Sequence, residues 1–67
     1  MANTQLLKAK IVEKNMTQEE IAHKSGISRS SFYRKMKNKG GGFTLSEARK
    51  IVDTLTLSNN EIINIFF

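Results

Sequence analysis

The sequence contains no cysteine, which excludes disulfides, thiol nucleophiles and thiolate zinc sites together. A secreted domain of 67 residues would be expected to carry such stabilising links, so we expect a reducing cytoplasm as its location. No apolar run approaches the roughly 18 residues that a membrane span requires, and the N-terminus lacks a signal-peptide stretch. We therefore expect no association with a membrane.

Combinations of residues that support catalysis are also missing. His23 has no second histidine or cysteine with which to form a metal site. The many serines have no histidine base to activate them, and Gly40-Gly41-Gly42 lacks the closing Gly-Lys-Ser/Thr of a phosphate-binding loop. We therefore expect no enzymatic activity, no cofactor or metal ion, and no small-molecule ligand.

Acidic residues are absent from the middle of the chain. No aspartate or glutamate lies between Glu20 and Glu47, whereas six basic residues do: Lys24, Arg29, Arg34, Lys35, Lys37 and Lys39. The remaining residues hold five basic and six acidic side chains, so this window accounts for the whole formal net charge of +5. A concentrated positive charge indicates a polyanionic partner, although a basic surface that only maintains solubility has the same composition.

Start signals for helices recur along the chain. Thr17, Thr44 and Ser58 each precede a glutamate by three residues, the spacing of a capping box. Ser28 occupies the same position before another helix, with Ser31 in place of the glutamate. We expect helices near 3–14, 17–24, 28–37, 44–55 and 58–66, in an all-α fold with one domain over residues 1–67.

The two short helices around Gly26 have the spacing of a helix-turn-helix. Gly26 suits the left-handed backbone conformation that ends many helices, and Ser28 caps the next helix almost immediately. Ala22 is small enough to let the two helices approach closely. A turn of three to four residues with helices crossing at about 90–120° is typical of this motif.

The segment from Met16 to Phe32 resembles the helix-turn-helix of phage Cro and repressor proteins, the lambda-repressor-like or XRE class. The residues that match position by position are Thr17, Gln18, Ala22, Gly26 and the serine-rich start of the following helix. The resemblance continues through residues 43–47 and 61–67. It implies a five-helix lambda-repressor-like DNA-binding domain, with the motif at about 17–37.

Two departures from the family pattern affect the third helix and the loop after it. Lys35 stands where the family usually has a core aliphatic residue, although Met36 next to it can fill that space. Residues 37–42 replace the common Glu-x-Gly, so the resemblance does not define how this loop docks.

The resemblance also implies which residues read DNA bases. The positions concerned are Arg29, Ser30 and Arg34, and an arginine can bind guanine with two hydrogen bonds. Independently of the family, Phe32 and Met36 lie four residues apart, which predicts a buried face opposite Ser30 and Arg34. For Arg34 the alternative is a phosphate contact or a solvated side chain.

A second group is expected to hold the DNA backbone without reading its sequence. In the family, the residue at the position of Gln18 meets a phosphate. The other members of this group are Ser28, Ser31, Tyr33, Lys35, Lys37 and Lys39. For Tyr33 the alternatives are a sugar-phosphate or thymine-methyl contact and simple coverage of the core.

The C-terminus is unusually apolar, with five apolar residues in its last six positions. One small core cannot absorb all of them, and an exposed apolar patch usually marks an interface. We expect a dimer contact formed by Ile65, Phe66 and Phe67. The alternative is that Phe66 and Phe67 close the core of a monomer.

The resemblance implies a sequence-specific, double-stranded DNA-binding transcriptional regulator, a phage or prophage Cro-like repressor in the host cytoplasm. A homodimer would insert the helix at 28–37 into successive major grooves of a palindromic operator and block polymerase by occupancy. One alternative is a protein-interaction module of anti-repressor or antitoxin type that uses the apolar C-terminal helix. Another is non-specific binding of nucleic acid.

Overall fold

The computed structural model describes residues 3–38 and 42–67. These residues form five α-helices: α1 Thr4–Glu13, α2 Gln18–Lys24, α3 Arg29–Lys37, α4 Leu45–Leu55 and α5 Asn59–Phe66. Neither described range contains a strand. The all-α prediction is confirmed, and each predicted helix is present with its ends within one residue of those expected.

Side-chain caps define where all five helices begin, and Asn3 caps α1. At α2 the Thr17 hydroxyl accepts a hydrogen bond from the Glu20 amide at 3.1 Å, and the Glu20 carboxylate accepts one from the Thr17 amide at 2.9 Å. The same reciprocal pair forms at Thr44 and at Ser58. The Ser28 hydroxyl accepts a hydrogen bond from the Ser31 amide at 3.2 Å, which caps α3 as predicted. Each such cap typically stabilises a helix by about 1 kcal/mol.

One continuous core joins all five helices. Its members are Leu7, Ile11, Ile21, Ala22, Ile27, Phe32, Met36, Ile51, Leu55, Leu57 and Ile65. α2 packs against α1, α3 and α4, and α1 also packs against α5. On α3, Phe32 is fully buried and Met36 is nearly so, which confirms the predicted buried face.

The turn between α2 and α3 depends on glycine. Gly26 has a φ of +69°, in the left-handed region where other residues are sterically strained. Immediately after it, the Ile27 amide donates a hydrogen bond to the Ala22 carbonyl at 2.9 Å, which ends α2 in the manner of a Schellman turn. The turn therefore fixes the direction of α3 relative to α2.

Polar contacts also hold α5 against α1. Lys10 binds Glu13 of its own helix at 2.9 Å and also pairs with Glu61 of α5. The hydrogen bond from Lys10 lowers the pKa of Glu61 to about 2, and the same bond raises the pKa of Lys10. The Asn3 amide donates to the Ile65 carbonyl, which ties the start of α1 to the end of α5. None of the five helices is long and apolar enough to cross a membrane.

Candidate nucleic-acid interface

The outer face of α3 presents all three residues expected to read bases. Arg29, Ser30 and Arg34 are exposed, while Phe32 and Met36 face the core from the other side of the helix. Because Phe32 and Met36 are locked in the core, the backbone that carries the three exposed side chains is held in place. α3 thus offers two guanidinium groups and one hydroxyl from a fixed scaffold.

Positive charge accumulates along the same helix. The last turn of α3 contains Arg34, Lys35 and Lys37, and Arg29 opens its first turn. α3 itself contains no acidic residue. Lys39, which was predicted to hold the DNA backbone, lies outside the described residues.

Arg29 is not a freely solvated side chain, because two neighbours hold its guanidinium. Arg29 Nη2 lies 3.1 Å from Glu19 Oε1, and Arg29 Cζ lies 5.7 Å from the centre of the Tyr33 ring. The side chains of Arg29 and Glu19 remain 69% and 55% exposed. This contact joins the first turn of α2, which Gln18 begins, to the first turn of α3.

Tyr33 therefore has a role that the sequence does not indicate. Tyr33 is 37% exposed, and its ring supports the arginine at the first position of α3. Ser28 is exposed and Ser31 half-buried, and their shared cap already uses the Ser28 hydroxyl as an acceptor. The hydroxyl proton of Ser28 remains available to a further acceptor.

Lys35 is placed differently from the other basic residues of α3. Its ammonium donates to Glu47 of α4 at 2.7 Å and lies 5.9 Å from the centre of the Phe43 ring, and its side chain is only 17% exposed. The bond from Lys35, with a smaller contribution from the Thr44 amide, holds the pKa of Glu47 below its usual value. Lys35 braces α3 against α4 in the structure, so we leave it out of the proposed DNA contacts.

The C-terminal residues divide into a buried and an exposed set. Ile65 is 2% exposed and belongs to the core, so the prediction that it contacts a second chain is corrected. Phe66 is half-buried against the core. Phe67 is 87% exposed and Ile63, one turn earlier, is 55% exposed. The predicted contact omitted Ile63, which its spacing of four residues from Phe67 would have indicated.

Comparison with known proteins identifies the family. A family model described as the Cro/C1-type HTH DNA-binding domain matches residues 7–66. This chain is a Cro/C1-type helix-turn-helix protein. The match covers α2, α3, their turn, α4 and α5 in full, together with residues 7–13 of α1. No curated protein and no solved structure matches the chain.

Membership in the Cro/C1-type family confirms the XRE-class resemblance and the helix-turn-helix. The protein is a DNA-binding transcription regulator, and the family is typically non-enzymatic. In this chain the helix-turn-helix carries the Glu19–Arg29–Tyr33 arrangement, and the Lys35–Glu47 ion pair joins α3 to α4.

Proposed function

We propose that this Cro/C1-type protein is a sequence-specific repressor that binds double-stranded DNA through α3. The observation that carries the proposal is the set of exposed side chains Arg29, Ser30 and Arg34 on a helix whose opposite face is buried. A recognition helix of this kind presents its N-terminal residues to base edges in the major groove. Each arginine bound to guanine through two hydrogen bonds would discriminate against other bases by about 1–3 kcal/mol.

The DNA backbone would be held by residues that surround this reading surface. Lys37 is exposed at the end of α3, and Gln18 begins α2 next to the Glu19–Arg29 contact. Ser28, Ser31, Tyr33 and Lys39 complete the proposed set. Such contacts set the register and orientation of the protein on the duplex but carry no sequence information.

We expect repression by a dimer, and the end of α5 offers a surface for one. Ile63 and Phe67 lie one turn apart, and the Phe67 amide donates to the Ile63 carbonyl at 3.0 Å, so both side chains lie on the outer side of α5. We place the contact between two copies at Ile63 and Phe67, with Phe66 at its edge. The two copies of α3 would then read a palindromic operator of a phage or prophage, with half-sites one helical turn apart.

Selection of bound duplexes from a random DNA library, at roughly physiological salt, tests the reading function. We expect a palindrome whose half-sites lie about 10 bp apart, with guanine opposite at least one arginine. Recovery of no motif, together with affinity that disappears as salt rises, would contradict the proposal and favour non-specific binding. An absence of DNA binding altogether would favour a protein-interaction module.

The dimer contact is tested by the double substitution Ile63→Ser and Phe67→Ser. Sedimentation equilibrium with and without operator DNA should show the wild type as a dimer on the operator and the double variant as a monomer. Val12→Ser is the matched control, because Val12 is 68% exposed on α1 and outside the proposed contact. An unchanged dimer in the double variant would contradict this placement.

A further inference from the structure

Glu19 is an acidic residue beside a surface whose other charged side chains are basic. It follows Gln18 in the first turn of α2, and its carboxylate contacts Arg29 at the first position of α3. If the neighbourhood of Arg29 had only to neutralise phosphates, a carboxylate there would oppose that purpose. As an acidic residue in the first turn of α2, Glu19 favours the positive end of the helix dipole, and its contact with Arg29 adds an effect on α3.

The adjacent acid, Glu20, does not share this position. The Glu20 carboxylate accepts a hydrogen bond from the Thr17 amide at 2.9 Å, as its capping box requires. Glu19 takes no part in that cap, and its contact with Arg29 crosses from α2 to α3. Both glutamates lie in the first turn of α2, but only Glu19 also contacts an arginine of the reading helix.

Contact with Glu19 restricts Arg29 without using all of its hydrogen-bond donors. The carboxylate engages Nη2, and the Tyr33 ring lies under the guanidinium at 5.7 Å from Cζ. A guanidinium has five N–H donors, so donors remain for the two acceptors of a guanine edge. A phosphate that approached the same guanidinium would also approach the charge of Glu19 and be repelled by it.

We infer that Glu19 is a positioning residue that determines specificity by directing Arg29 toward base edges and away from the phosphate backbone. The inference rests on the proposed function, since it assigns to Glu19 a role in the reading of DNA by α3. Both side chains are more than half exposed, so the ion pair itself is weak and the contact acts through geometry and local charge. Glu19 would contribute mainly by weakening the binding of wrong sequences.

Binding of the selected operator and of a random-sequence duplex, each measured over a range of salt, tests this role. In Glu19→Gln the side-chain shape is kept and the charge removed, so Arg29 becomes free to neutralise a phosphate. We expect random-duplex affinity to rise more than operator affinity, with a specificity ratio about fivefold lower. The salt slope for the random duplex should steepen by about one.

Asp53→Asn is the matched control for the change in net charge. Asp53 is an exposed acid of α4 and takes part in none of the ion pairs found among the described residues. We expect this variant to raise both affinities equally. In an Arg29→Ala background, Glu19→Gln should behave in the same way as Asp53→Asn, because the arginine on which Glu19 acts is gone.

Two results would overturn the inference, and they can be told apart. If Glu19→Gln matches Asp53→Asn while the wild type still prefers its operator, Glu19 contributes only long-range charge and the proposed function stands. If the wild type binds operator and random duplex equally, the proposed function fails and this inference fails with it. Equal melting temperatures for all variants would show that the differences do not arise from unfolding.

Discussion

Arg29 and Lys35 lie on the same helix, and each forms an ion pair with a glutamate of another helix, but their surroundings differ. The Arg29 side chain is 69% exposed and pairs with Glu19, whereas the Lys35 side chain is 17% exposed and pairs with Glu47. Each cation also lies over an aromatic ring, Tyr33 for Arg29 and Phe43 for Lys35. The two sites therefore share their chemistry and differ in burial.

Burial decides what each pair can do. An exposed pair is weak and can rearrange when a nucleic acid approaches, so Arg29 stays available for recognition. A half-buried pair costs more to break, because removal of one partner leaves the other charge poorly solvated. Lys35 and Glu47 consequently belong to the structure that holds α3 against α4, and positive charge in the sequence does not by itself identify a DNA contact.

Arg29→Ala should have the largest effect on DNA binding. We expect loss of about 1–3 kcal/mol of affinity for the selected operator, since a bidentate arginine–guanine pair contributes this much discrimination. The melting temperature should stay close to that of the wild type, because the side chain is exposed. Filter binding and thermal unfolding measure the two quantities. The control is Lys8→Ala, an exposed residue of α1, and a comparable loss of operator discrimination in this control would contradict the assignment.

Lys35→Ala should show the opposite pattern. We expect it to destabilise the fold by about 1–2 kcal/mol, because Glu47 loses a charged hydrogen-bond partner in a half-buried site. Affinity of the folded protein for its operator should change little. Lys37→Ala, on the exposed side of α3, should weaken DNA binding with little change in stability. Urea titration separates the two variants, and equal stabilities would show that Lys35 is no brace.

The helical frame could be predicted from the sequence because its signals are local. A capping box involves residues three positions apart, and a glycine at position 26 by itself indicates a left-handed backbone conformation. The contacts that distinguish Arg29 from Lys35 join residues 10 and 12 positions apart in the chain. No local pattern encodes such a pairing. The sequence therefore does not indicate the contact of Glu19 with Arg29, and it does not distinguish Lys35 from the lysines expected to bind phosphates.

Burial at the C-terminus was harder to predict for a related reason. A run of apolar residues shows that α5 has more apolar surface than one face needs, but not which side turns inward. Packing against α1 decides this, and it buries Ile65 while leaving Ile63 exposed. Both residues are isoleucines, two positions apart, so only the tertiary arrangement decides which of them is buried.

Acid should weaken the two structural ion pairs, Lys10–Glu61 and Lys35–Glu47. The pKa of Glu61 is lowered to about 2 and that of Glu47 is also lowered, so each carboxylate holds its proton less tightly in the folded state than in the unfolded one. This stability is fully present above the ordinary pKa of 4.5 and is lost as pH falls through the folded values.

Glu61→Gln tests the acid dependence at one site. Glutamine keeps the capping hydrogen bond to the Ser58 amide but cannot pair with Lys10 as a charge. Near neutral pH we expect a lower melting temperature than that of the wild type. Between about pH 5 and pH 2 the melting temperature of the variant should decrease less than that of the wild type. Thermal unfolding followed by circular dichroism measures both, and an acid profile identical to that of the wild type would contradict the assignment.

Substitution of Ser25 should have the smallest effect on stability. Unlike the side chains of the ion pairs, its hydroxyl has no hydrogen-bond partner among the described residues. Ser25 lies at the end of α2 and is 1% exposed. A buried hydroxyl without a partner costs stability, whereas alanine fills nearly the same space without that cost. Ser25→Ala should therefore stabilise the fold by about 0.5–1 kcal/mol, which corresponds to about 2–8 °C in melting temperature. DNA affinity should not change, because Ser25 is buried and is not one of the proposed DNA contacts. A decrease in melting temperature would mean that the hydroxyl is bound to a buried water.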